Sequence, residues 1–183
     1  MIWFVCGVIL FFGVHMLPLV PVLRQGVVAQ LGELPYRGLF ALVSIVGLAL
    51  IVVGYGQMGV ETLWFVPIWA WTLPQPLMMV ASILLVSAYM PGNVRRLTRH
   101  PMLWAVVVWG VAHLLVTGHL AAVFLFGVFA AYAATAMVAL NLRGLEYQQA
   151  PRSWLWDGLN VAIGLVLYFL IVRIHAWAGV PVA

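Results

Sequence analysis

Five histidines are the residues of this chain best suited to chemistry. Two of them, His15 and His113, fall deep inside long apolar runs. An unpaired charge at such depth costs several kcal/mol, so a functional reason is the default expectation. Three residues after His15 comes Pro18, whose ring is expected to free the carbonyl of Val14, while Gly13 leaves room beside the imidazole. The stretch Gly13-Val14-His15-Met16-Leu17-Pro18 reads in two ways. It is a locally opened helix that admits a flat ligand, or its histidine bonds the freed carbonyl or a neighbouring helix. His113 is flanked by Trp109, Gly110, Ala112 and Val116, and its own turn offers it no partner. Another helix or a cofactor must supply one. Neutral imidazole is a good ligand to iron when an acceptor orients its other nitrogen.

The other three histidines read differently. His100 stands between Arg99 and Pro101 at the start of the run containing His113. At helical geometry the two lie ~20 Å and some ~140° apart, so they cannot share one metal. A structural or headgroup-contacting role suits His100, and a solvent-facing one suits His119 and His175. Counted from the ends of their runs, His15 and His113 differ in depth by up to ~10 Å. A haem standing along the membrane normal would still bridge them. Its propionates are carboxylates, which a guanidinium grips with a bidentate fork. Arg24, Arg37, Arg95, Arg96 and Arg99 are available for that, or else they set topology and face lipid phosphates.

The elements that must position these groups follow from composition. Of 183 residues 66% are hydrophobic and only 7% charged, against about 25% charged in soluble domains. A soluble core cannot hide that much apolar surface. The chain reads as an all-α, polytopic transmembrane bundle and, lacking linkers or charge runs, as a single domain over 1–183. Six apolar runs are the expected helices: Ile2–Leu23, Gly38–Gly56, Pro74–Tyr89, Met102–Val116, Leu120–Leu140 and Leu159–Trp177. No cleavable leader is expected, because the first run begins without a basic flank.

Six crossings place loops 24–37, 91–100 and 141–157 on one side, with every arginine except Arg173. The positive-inside rule makes that side cytoplasmic and sends both termini to the periplasm. The basic balance is therefore a topology signal, not a nucleic-acid-binding face. Trp3, Trp64, Trp69, Trp71 and Trp177 form an outer aromatic belt, and Trp104, Trp154 and Trp156 an inner one. Glu61–Thr72 is too short to cross and is expected along the outer surface. Ser44, Gly47 and Gly54 should let a neighbouring helix come close. Cys6 reads as a small buried hydrophobe.

Several polar landmarks carry a family resemblance. His15-Met16-Leu17-Pro18, Leu31-Gly32-Glu33, Tyr36-Arg37-Gly38-Leu39-Phe40, Ser44-Ile45-Val46-Gly47-Leu48 and Leu50-Ile51-Val52-Val53-Gly54-Tyr55 resemble the N-terminal half of the NnrU family. Arg99-His100-Pro101-Met102-Leu103, Trp109-Gly110-Val111-Ala112-His113-Leu114-Leu115 and Phe126-Gly127 resemble its second half. The resemblance implies a bacterial inner-membrane protein associated with denitrification and nitric oxide metabolism. The family is in turn similar to the plant zeta-carotene cis–trans isomerase, a membrane protein that uses haem b. That likeness implies haem b ligated by His15 and His113, with Arg37, Arg99 and His100 also at the cofactor. One departure is Thr117-Gly118-His119, which adds a histidine as a possible third ligand.

Three functions follow from this reading. The first is a haem-b protein that senses or handles nitric oxide or redox state. The second is a haem-dependent isomerase of a lipid-soluble polyene. The third is a membrane methyltransferase, since Arg99-His100-Pro101 also resembles the isoprenylcysteine and phospholipid methyltransferases. Those enzymes carry a paired-glutamate motif downstream, where this chain has only Glu146.

Overall fold

The computed structural model describes residues 1–59, 61–144 and 150–180, which leaves Glu146 outside the described residues. The described elements are helical, and the one pairing outside helices is an isolated bridge between Thr62 and His119. The chain packs as two compact units, Met1–Val60 and Glu61–Ala183.

The first unit is built on α1 (Ile2–Met16), α2 (Pro21–Leu31) and α3 (Glu33–Gly56). The first apolar run was expected to continue as one helix to Leu23, but two prolines divide it. Pro18 enters a 3-10 turn at Leu17–Leu19. Val20 is then extended, as a residue before proline must be, and Pro21 opens α2 at a position where its missing N–H costs nothing. The expected loop 24–37 is thus mostly helix, broken at Gly32, whose φ of 85° favours glycine.

Close packing of α1 on α3 explains the glycines. A Cβ on Gly47 would come within 2.8 Å of the Phe11 backbone nitrogen, and one on Gly7 within 2.7 Å of the Gly47 carbonyl oxygen. A Cβ on Gly54 would strike the backbone of Phe4. Gly47 and Gly54 therefore act as the sequence predicts. Ser44 instead donates to the Phe40 carbonyl of its own helix at 2.7 Å.

The second unit contains α4 (Pro74–Ser87), α5 (Asn93–Thr98), α6 (Pro101–Val116), α7 (Leu120–Leu142) and α8 (Trp154–Trp177). A 3-10 turn at Ile68–Thr72 leads into α4, so the last five residues of the segment expected along the surface belong to a continuous stretch, Ile68–Ser87, long enough to cross a bilayer. Upstream of it, Leu63 donates to the Gly118 carbonyl at 2.7 Å and Leu120 to that of Glu61 at 2.9 Å. These bonds tie 61–64 to the α6–α7 turn.

At the opposite end the arginine-rich segments meet. Asn93 at the start of α5 bonds Arg152 and Asp157, and His100 before α6 faces Asn141 at the end of α7. Charge asymmetry in the sequence thus corresponds to two distinct ends of this unit.

Five helical stretches are long and apolar enough to cross a membrane: Ile2–Leu19, Glu33–Gly56, Ile68–Ser87, Leu120–Leu142 and Trp154–Trp177. The 16-residue α6 is equally apolar but shorter. The outward faces carry Ile9, Leu42, Ile45, Val52, Val166 and Phe169, all exposed. Water would not tolerate such a surface, whereas hydrocarbon covers it at no cost. The eight tryptophans assigned to the two belts are exposed as well, and so is Cys6, which was expected to be buried but lies on an outward face of α1.

Candidate functional site

His15 lies one residue before the end of α1 and is half-buried. Its Nδ1 is 2.6 Å from the carbonyl oxygen of Phe11, one turn back. The ring stacks on Phe11 at 4.1 Å between centroids and meets Phe40 of α3 at 5.0 Å. Helix opening by Pro18, which the sequence suggests, does not occur. The amide of Leu17 takes up the Val14 carbonyl as the chain tightens into its 3-10 turn. Space is present all the same, because nothing lies within 4 Å of a Cβ placed on Gly13.

His113 repeats the arrangement in α6. Its Nδ1 is 2.8 Å from the Trp109 carbonyl oxygen, and its ring stacks on Phe126 of α7 at 4.4 Å, tilted by 19°. The partner missing from the sequence reading is this backbone carbonyl in its own helix. Thr117 adds a hydroxyl bond to the His113 carbonyl. A carbonyl only accepts, so Nδ1 of each ring carries the proton and the lone pair of the neutral ring lies on Nε2. Metal-ligating histidines are commonly oriented in this way, with one N–H given to a carbonyl.

A cavity of about 90 Å³ lies against His113, between α4, α6 and α8. Gln75, Met78, Tyr168, Ile171 and His175 are among its lining residues. His175 was expected to face solvent. It is half-buried, and its Nδ1 bonds the Ile171 carbonyl oxygen at 2.9 Å. It lines the cavity beside His113, a neighbourhood that local sequence does not reveal. His119 is half-buried too, 3.5 Å from the Thr62 hydroxyl, and stands immediately before α7 without a side-chain capping bond.

The arginines fall into separate places. In the first unit Arg24 and Arg37 share Glu33, each at 2.9 Å, and Arg24 also lies 5.5 Å from the centre of the Tyr36 ring. Pro18, Tyr36 and Phe40 complete an open pocket of about 260 Å³ beside them. Exposed ion pairs like these contribute about 0–1 kcal/mol, so they orient side chains more than they hold the fold. Arg99 is exposed, with φ of 60°, where α5 ends. His100 Nε2 lies 3.2 Å from Asn141 Oδ1.

The most heavily bonded polar cluster is one that sequence reasoning missed. Asp157, in the first turn of α8, accepts from the backbone amides of Asn93 at 2.7 Å and Val94 at 3.1 Å. It also accepts from the Asn93 side chain at 2.7 Å. Asn160, fully buried, donates to the Pro91 carbonyl at 3.0 Å. Gly92 has no room for a side chain, since a Cβ there would lie 2.5 Å from Asn160 Nδ2. The available signal was the scarcity of acid. Asp157 is one of only four acidic residues and lies three positions before Asn160 on one helical face.

Among the described residues no three His, Cys, Asp or Glu side chains converge as they would around a bare metal ion. Iron already held by a porphyrin makes a smaller demand, because the macrocycle fills the equatorial positions and protein supplies one or two axial donors. The oriented imidazoles fit that demand. The 90 Å³ cavity is below the ~300–1,000 Å³ of ordinary ligand pockets and is too small to enclose such a group.

Apolar helices long enough to span and apolar side chains facing outward define a multi-pass α-helical membrane protein. The chain belongs to the NnrU family, whose model, described as NnrU protein, matches residues 3–182. No curated protein and no solved structure matches it.

Proposed function

We propose that this NnrU-family protein binds haem b in the bacterial inner membrane and serves nitrogen-oxide metabolism, and that His15 and His113 are the nitrogen donors the group would draw on. The observation that carries the reading is the shared state of the two rings. Each gives Nδ1–H to the carbonyl four residues back and lies flat against a phenylalanine. Each neutral ring then has its lone pair on Nε2, the state in which an imidazole would donate to iron.

When bound, haem would supply an iron able to take nitric oxide or exchange an electron. The protein's part is to orient the imidazoles, keep water away with Phe11, Phe40 and Phe126, and offer cationic groups to carboxylates. Arg37 and Arg99 would serve that last purpose at the arginine-rich ends, with His100 beside Arg99. Those ends are cytoplasmic in this reading, and both termini are periplasmic. The test is an absorption spectrum of protein purified in detergent after expression with ample haem, compared with His15→Ala and His113→Ala. A Soret band that weakens in both variants supports the reading, and a colourless wild-type protein refutes it.

A further inference from the structure

Sequence alone does not say which arginines meet an anion. The fold gathers two of them on one pocket of the first unit. Glu33 Oε1 accepts from a terminal nitrogen of Arg24 and from Nε of Arg37, both at 2.9 Å. Arg24 is held further by the ring of the buried Tyr36, whose centre lies 5.5 Å from the guanidinium carbon. Together with Pro18 and Phe40 these side chains line the open pocket of about 260 Å³. One carboxylate between two guanidiniums leaves a single positive charge there. Among the described residues Arg37 bonds Glu33 through Nε alone, so its terminal nitrogens remain for a further acceptor.

The surroundings decide which anion fits. In α2 the arginine is flanked by Val22 and Leu23, both exposed, and at the start of α3 Leu34 and Leu39 are exposed beside Glu33 and Arg37. Cationic groups interleaved with outward apolar side chains suit a helix at headgroup level, its apolar residues among acyl chains. A free phosphate gains nothing from those side chains. A phospholipid matches both features, because its phosphodiester carries one negative charge and its chains cover the leucines. Guanidinium forks are also well shaped for phosphate oxygens.

We infer that this pocket binds the phosphodiester of a membrane phospholipid, held by Arg24 and Arg37. The inference does not rest on the haem reading, in which a haem carboxylate is the rival anion for Arg37. Lipid is therefore titrated into full-length protein purified in detergent without haem, and failure here leaves that reading standing.

The probe is dihexanoylphosphatidylglycerol, and native mass spectrometry counts the molecules bound. Arg24→Gln and Arg37→Gln should each lower affinity about tenfold. The double variant should carry one lipid fewer where wild type is saturated, and Arg173→Gln, at the far end of α8, should match wild type. Dihexanoylglycerol, which lacks the phosphate, should bind wild type no better than the double variant, and inorganic phosphate should not displace the phospholipid. Circular dichroism checks folding, and if Arg24→Gln unfolds, Arg37→Gln, altered at an exposed side chain, carries the comparison. Unchanged lipid binding in the folded arginine variants overturns the inference. So does dihexanoylglycerol binding as tightly as the phospholipid, or displacement of the phospholipid by inorganic phosphate.

Discussion

Asp157 on α8 holds Asn93 at the start of α5 by two bonds of 2.7 Å, one to the backbone amide and one to the side-chain amide. Asn93 in turn accepts from the Arg152 amide at 3.0 Å, so one buried asparagine joins two segments 59 residues apart. A carboxylate that accepts several N–H bonds in a water-poor place contributes more than an exposed ion pair, because removing it leaves those donors unpaired.

Asp157→Ala is therefore expected to lower stability by about 2–3 kcal/mol. A drop of several degrees in the thermal midpoint in detergent is the readout, with Asp157→Asn falling between the two. An unchanged midpoint for the alanine variant would show that the cluster does not hold the arginine-rich end together.

The glycines separate into two kinds with opposite predictions. At Gly54 a side chain meets the backbone of Phe4, and backbone cannot yield as a flexible side chain does. Gly54→Leu should force α1 from α3 and leave little folded protein after detergent extraction. Nothing lies within 4 Å of a Cβ on Gly13 or Gly26, both inside helices. Alanine there should leave the midpoint unchanged or raise stability by up to about 1 kcal/mol. Size-exclusion profiles and thermal melts of the three variants make the comparison.

How much of this was legible beforehand depends on whether the information is local. Apolar runs of span length, exposed tryptophans and the packing of Gly47 and Gly54 are properties of composition and spacing, and these expectations hold. The Pro18 prediction failed because a 3-10 turn offers the Val14 carbonyl a new donor, Leu17, which sequence does not advertise. The loop expected at 24–37 failed because polar residues were read as irregular backbone, although helices tolerate Arg24 and Glu33 equally well. His175 and Asp157 were missed for a third reason. Their partners lie on other helices, and one sequence without the packing does not say which turn of α8 faces α4, α5 or α6.

The proposed topology predicts which ends a membrane-impermeant thiol reagent reaches. With Cys6 replaced by serine, Phe65→Cys and Leu97→Cys report on opposite ends of the second unit, and both positions are exposed. Phe65→Cys should be labelled in cells whose outer membrane is permeable, and Leu97→Cys only after the inner membrane is disrupted. The reverse pattern would place the arginine-rich end in the periplasm.

The central claim is that membrane imidazoles hold a haem, and visible absorption of the purified protein tests it most directly. Wild type should show a Soret band and, on reduction, the sharp visible bands of a low-spin haem b. In His15→Ala and His113→Ala the Soret band should weaken or shift while the helical circular dichroism spectrum stays as in wild type. A protein that stays colourless after expression with ample haem and after haemin titration, or one whose band is indifferent to both substitutions, would contradict it.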